Sequence, residues 1–122
     1  MKRDMDLIRG ILLAAEEGTD TIDVQEGIAG IEATAEELEY HLNLMRQADL
    51  INVDAVSLGG AYFLQGLTWA GHDFLDTIRD PEVWKRTKDG ASKVGGWSFG
   101  LLKDLATAYI KGEAKGRLGL DL

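Results

Sequence analysis

Apolar residues recur at helical spacing in several stretches of this chain and follow strand-like patterns in others. Met5, Ile8, Ile11, Leu12 and Ala15 mark one face of a helix predicted from about Asp4 to Glu17. Asp4 or Asp6 sits at the positive end of its dipole, and Gly18 is a natural stop. Leu38, His41, Leu42 and Met45 stand at i, i+3, i+4 and i+7, which predicts the buried stripe of a second helix reaching about Ala48. Its start is Thr34-Ala35-Glu36-Glu37, a capping box. In such a box the threonine hydroxyl accepts the Glu37 N–H, and the Glu37 carboxylate reaches back to the Thr34 N–H. Thr68 caps a third predicted helix, about Trp69 to Arg79, with Phe74, Leu75 and Ile78 in the core. Asp80-Pro81 ends it and opens a fourth, with Val83, Trp84, Thr87 and Ala91 inward. After a break at Gly95-Gly96, Ser98 caps a last helix to about Lys111, with Leu101, Leu102, Leu105 and Tyr109 at helical spacing.

The strand-like stretches lie between the first three helices. Ile22 and Val24 fit a short strand. Gly27 and Gly30 follow, each weakening a helix by about 1 kcal/mol relative to alanine. Leu50 to Val56 and Ala61 to Leu67 flank Ser57-Leu58-Gly59-Gly60, whose glycine pair suits a tight hairpin turn. The resulting order is helix, short strand, helix, β-hairpin wing, helix, then two C-terminal helices. That order predicts an α+β fold resembling a winged-helix domain. Three segments are expected: a winged-helix-like core over 1–80, a helical extension over 81–112 packed on the same domain, and a flexible tail over 113–122. An ordinary helix-turn-helix has a supporting helix before the one that reads DNA. Here that helix is expected to be missing or replaced by extended chain.

Three further stretches carry a family resemblance. The first is Met1-Lys2-Arg3-Asp4-Met5-Asp6-Leu7-Ile8-Arg9 with Ile11-Leu12-Leu13. The second is Glu39-Tyr40-His41-Leu42 with Ala48-Asp49-Leu50-Ile51. The third is Leu67-Thr68-Trp69-Ala70-Gly71-His72-Asp73-Phe74-Leu75-Asp76 with Ile78-Arg79-Asp80 and Trp84. Together they resemble the domain-of-unknown-function family 2513, small bacterial proteins often linked to phages and prophages, over roughly residues 1–108. The resemblance implies a winged-helix-like fold and a mobile-element context, with no established activity or catalytic residues. Asp49 stands where winged-helix proteins usually have glycine; aspartate tolerates the left-handed conformation better than most residues.

Charge changes what that fold is expected to do. Residues 1–80 hold 5 Lys and Arg against 16 Asp and Glu, a net −11. Residues 81–122 hold 8 against 5, a net +3, completing the −8 of the whole chain. Affinity for duplex DNA comes mostly from cations that replace counterions, so the acidic part is repelled. The chain has no cysteine, which excludes disulfides, thiolate catalysis and Cys-ligated zinc. No apolar h-region or membrane-length run is present, and a cytoplasmic location is expected.

Side-chain chemistry points the same way. Tyr40, Asn43, Arg46 and Gln47 are what a recognition helix would offer to bases, yet Glu36 and Glu39 beside them would meet phosphates. Lys85, Arg86, Lys88 and Lys93, near Trp84 and Trp97, form a small basic patch. Glu37 with His41, and His72 with Asp76, have the i,i+4 spacing of half a metal site, but zinc needs three or four ligands. Asp73, Asp76, Asp80 and Glu82 read as surface carboxylates, and neither glycine pair has the pattern of a phosphate loop. No catalytic residue, metal or cofactor is expected. The residues favour a non-enzymatic protein-interaction or regulatory module with an unknown protein partner and a nucleic-acid-mimicking acidic face. The alternative is a sequence-specific DNA-binding regulator. A homodimer fits either reading.

Overall fold

The computed structural model describes residues 1–18, 21–53, 61–95 and 98–118. Helix α1 (Met5–Glu16) precedes strand β1 (Thr21–Asp23) and helix α2 (Ala35–Gln47). Strands β2 (Ile51–Val53) and β3 (Ala61–Leu67) follow, then helices α3 (Trp69–Ile78), α4 (Pro81–Val94) and α5 (Phe99–Leu118). The class is α+β, mostly helical with a small antiparallel sheet of order β1-β3-β2. The chain divides into two compact units, Met1–Asp73 and Phe74–Leu122. The division falls inside α3.

In the first unit, Asp4 caps α1, its side chain accepting the N–H groups of Asp6 and Leu7. The expected face of Met5, Ile8, Ile11, Leu12 and Ala15 is buried, and Leu7 joins it. Gly18 takes φ 103° just past the helix, a conformation glycine adopts without Cβ strain. β1 buries Ile22, and Val24 just beyond it is buried as well. The Asp23 carboxylate then accepts the Gln25 N–H at 2.9 Å and starts a turn. Residues 24–34 hold no helix, in line with the glycines there. β1 pairs with β3 in the register Ile22↔Tyr62, and β2 pairs with β3 in the register Ile51↔Leu67 and Asn52↔Gly66. A register shift follows, Val53 lying opposite Leu64, so Gln65 is an extra residue in β3. The expected turn at Ser57–Gly60, the remainder of its first strand to Val56, Gly96 and Trp97 all lie outside the described residues.

α2 ends in a turn that governs its neighbours. The Asp49 N–H donates to the Arg46 carbonyl at 3.0 Å, and the Leu50 N–H donates to the Met45 carbonyl at 2.9 Å. This is the Schellman pattern, and Asp49 takes its left-handed position at φ 59°. Leu50 and Met45, the pair expected to touch across such a turn, are both buried. The Leu50 carbonyl then accepts the Thr68 N–H at 3.1 Å. The Thr68 hydroxyl donates to the Asp49 carbonyl and accepts the Gly71 N–H at 2.9 Å, which caps α3 as its sequence indicates. Gly71 is forced: a Cβ there would collide with the Leu50 carbonyl oxygen and lie 3.0 Å from its carbon.

In the second unit, Phe74, Leu75 and Ile78 of α3 are fully buried. Asp80 caps α4, accepting the Glu82 N–H at 2.8 Å and the Val83 N–H at 3.1 Å, with Pro81 in the first turn. Val83, Trp84, Thr87 and Ala91 are buried as the stripe predicts. The Thr87 hydroxyl is satisfied by the Val83 carbonyl at 2.7 Å. The Ser98 hydroxyl accepts the Leu101 N–H at 3.2 Å and starts α5, whose Phe99 ring packs on Phe74 with centroids 4.4 Å apart. Only Leu102 of the expected α5 stripe is buried; Ala106, one turn on, joins it, and Leu101, Leu105 and Tyr109 are half-buried.

α5 also runs past Lys111 to Leu118, where a frayed end was expected from residue 113. Gly112 and Gly116 fall inside it and do not stop it. Glu113, in this added length, approaches Arg86 of α4 at 3.9 Å. Residues 119–122 lie outside the described residues.

Two substitutions test the turn. Asp49→Gly removes the strain of a side chain at positive φ and is expected to raise stability by about 0.5–1 kcal/mol in urea unfolding. Gly71→Ala is expected to lower it by about 2 kcal/mol or more, because backbone must move to admit the methyl group. An unchanged midpoint for Gly71→Ala would contradict the close approach to Leu50.

Candidate functional site

α2 carries the expected interaction residues, and three devices hold it. Both bonds of the capping box form, Glu37 N–H to Thr34 Oγ1 and Thr34 N–H to Glu37 Oε1, each at 3.1 Å. The Schellman turn closes the other end. In the middle, His41 is buried at 1% exposure, and backbone engages both its ring nitrogens. Nε2 accepts the Asp4 N–H at 2.8 Å, and Nδ1 lies 2.7 Å from the Glu37 carbonyl. A backbone N–H only donates and a carbonyl only accepts, so the ring proton sits on Nδ1. His41 thereby ties the capping residue of α1 to α2. Both nitrogens being occupied, the Glu37–His41 pair has no ring nitrogen to offer a metal.

Burial of Leu38, His41, Leu42 and Met45 turns the other side of α2 outward. Glu36, the pair Glu39 and Tyr40, Asn43, and the pair Arg46 and Gln47 succeed one another three or four residues apart, so the structure brings these candidates together on one stripe. Glu36, Glu39, Arg46 and Gln47 are exposed, while Tyr40 and Asn43 are half-buried. The Tyr40 ring stands edge-on to His41 at 5.4 Å. Acidic groups occupy the amino-terminal half of the stripe, and Arg46 is the single lysine or arginine of α2.

The basic candidates form a less coherent group. α4 carries Lys85 and Lys88 on one flank and Arg86 and Lys93 on the other. Arg86 lies 3.8 Å from Glu82 and 3.9 Å from Glu113. Lys88 sits over the Trp84 ring at 5.6 Å from its centroid. Trp84 itself is 4% exposed and presents no face on which a base can stack. The carboxylates of this unit have local work: Asp76 pairs with Arg79 at 2.8 Å, and Asp80 caps α4. With Pro81, Val83, Ile110 and Glu113 they line a groove of about 500 Å³. Among the described residues no cluster of three or more metal-ligating side chains occurs. No helix there is long and apolar enough to cross a membrane.

Two features of the surface and junction escaped the sequence reading. Trp69 is 84% exposed at the start of α3. Its spacing is the signal, since it falls off the i+3/i+4 stripe of Phe74, Leu75 and Ile78. Gly71, for which the motif alone suggested no role, is a packing requirement. Only pairing Thr68 with the end of α2 would have revealed it.

The family described as "Hypothetical protein (DUF2513)" matches residues 2–98 of this chain. The chain belongs to this family. The match begins before α1 and runs to the residue ahead of α5, so it includes the α2 stripe, the sheet and α4. An uncharacterized protein of Haemophilus influenzae strain Rd is 38% identical over 115 residues, covering 90% of this chain and 96% of that protein. No solved structure matches the chain. Family membership brings no activity with it, so function rests on the geometry of the surface.

Replacing His41 by phenylalanine fills the same space but leaves the Asp4 N–H and Glu37 carbonyl without their ring partner. The expected cost is about 1–3 kcal/mol. In amide exchange, protection should fall first at the start of α1. Wild-type stability with unchanged exchange there would contradict the tie.

Proposed function

We propose that this protein is a non-enzymatic interaction module on a winged-helix scaffold, whose acidic α2 stripe docks a basic, nucleic-acid-binding surface of a protein partner. The scaffold reading is supported by the order α1-β1-α2-β2-β3-α3 and by β1 pairing with the second strand of the hairpin. The observation that carries the functional reading is the exposure of Glu36 and Glu39 on the helix a winged-helix protein would lay into the major groove. Two carboxylates there repel phosphate, and Arg46 is the only α2 cation to offset them. The same carboxylates, spaced along a helix, suit a surface built to bind phosphates. A phage or prophage origin would make a host nucleic-acid-binding protein a natural target.

The DNA-binding alternative draws on the same order of elements. It needs contacts from Lys2, Arg3, Arg46 and the lysines of the carboxy-terminal part. Arg86 is flanked by Glu82 and Glu113, which counts against that supply.

Fluorescence anisotropy with labelled duplex at low salt separates the readings. The expected result is no binding at tens of micromolar protein; saturable binding at lower concentration would reverse the assignment. In affinity capture from a host lysate, a partner retained by the wild type should be lost by the Glu36→Lys/Glu39→Lys variant. Equal retention by that variant would remove the stripe from the interface.

A further inference from the structure

The first turn of α3 carries a large ring that the core does not use. Trp69 is 84% exposed, so most of its indole meets water. Tryptophan is among the residue types most enriched at the energetic centres of protein interfaces. Asp73 follows one turn later on the same side of the helix and is exposed as well. Helical side chains lean toward the amino-terminal end, which carries the Asp73 carboxylate toward the indole. Among the described residues, no cation of the chain pairs with Asp73. The residue before Trp69 is tied to the end of α2, because Thr68 donates its hydroxyl to the Asp49 carbonyl and its N–H to the Leu50 carbonyl. Exposed Asp49 therefore adjoins this turn. The positive end of the α3 dipole disfavours a cation here, and the negative end of α2, joined to it by those two bonds, offsets that effect.

We propose that Trp69 and Asp73 form an anchor for an arginine side chain of a basic protein partner. The proposal rests on reading α2 as a docking surface for such a partner, and adds a second contact beside the carboxy-terminal end of that helix. A guanidinium stacks flat on an indole, and its fork of N–H groups reaches a carboxylate beside the ring. The ammonium of lysine is a compact point charge without that planar fork, so arginine suits the pair better. Charge selects the occupant. Residues 1–73 hold 4 Lys and Arg against 14 Asp and Glu. A second copy of this chain brings the same acidic surface to Trp69 and is repelled, and an anionic membrane surface is repelled likewise. A cationic segment is drawn in, and the indole then gives it a place to stack.

Titration of the full chain with a short arginine–glycine peptide and with its lysine–glycine counterpart, followed by NMR of the amide and indole N–H groups, tests the anchor. The arginine peptide should shift the Trp69 indole N–H and the Asp73 amide, and should bind several-fold more tightly than the lysine peptide. Trp69→Ala should weaken the arginine peptide by about fivefold and remove its advantage over lysine. Asp73→Asn should weaken it by about threefold. Both positions are exposed, so the circular dichroism melt should be retained. Equal affinity of the wild type and Trp69→Ala overturns the proposal, and equal affinity for the two peptides overturns the arginine assignment. Shifts at Glu36 and Glu39 with none at the Trp69 indole overturn the anchor and leave the reading of α2 standing. Shifts at Trp69 and Asp73 with none at Glu36 and Glu39 support the anchor and remove α2 from the contact. No shift at the indole with either peptide overturns the anchor whatever α2 does.

Discussion

The left-handed turn at Asp49 is the constraint on which the rest of the first unit hangs. It ends α2 by two hydrogen bonds, from the N–H groups of Asp49 and Leu50. It also sends Leu50 and Ile51 into the core as β2 begins. The carbonyl groups it releases are taken at once. Asp49 receives the Thr68 hydroxyl, and Leu50 receives the Thr68 N–H. The start of α3 is thereby fastened to the end of α2, and Gly71 follows because no larger residue fits against Leu50. One residue at positive φ sets the exit from one helix, the entry to a strand and the entry to another helix.

His41 performs the complementary task from inside α2. Backbone groups rarely stay buried without partners. The imidazole supplies an acceptor for Asp4 and a donor for Glu37, and so joins two helix starts through one ring. The result is a helix with a fixed inward side. Its outward side is fixed by the same stroke, which is why Glu36 and Glu39 face solvent beside Asn43 and Arg46. The functional reading depends on that orientation more than on any single contact.

Much of this was legible in the chain. The capping box at Thr34, the Asp80-Pro81 start, the stripe of Val83, Trp84, Thr87 and Ala91 and the positive φ of Asp49 are local, and local rules reach them. What was not legible depends on partners distant in sequence. The continuation of α5 to Leu118 passes two glycines, and Glu113 meets Arg86 across 27 residues. The need for glycine at position 71 comes from Leu50, and the second carboxylate beside Arg86 comes from Glu113. The stripe on α2 was readable as a face, whereas its role is not written in residue types, since one scaffold carries many functions.

The central claim is that the outward side of α2 is an acidic docking surface and not a DNA reader. Amide chemical-shift mapping of the labelled protein, titrated in parallel with a short DNA duplex and with an arginine-rich peptide, tests it most directly. The account predicts shifts along Glu36, Glu39, Asn43 and Gln47 with the peptide, and none there with the duplex. Saturating shifts of those amides with the duplex would contradict it.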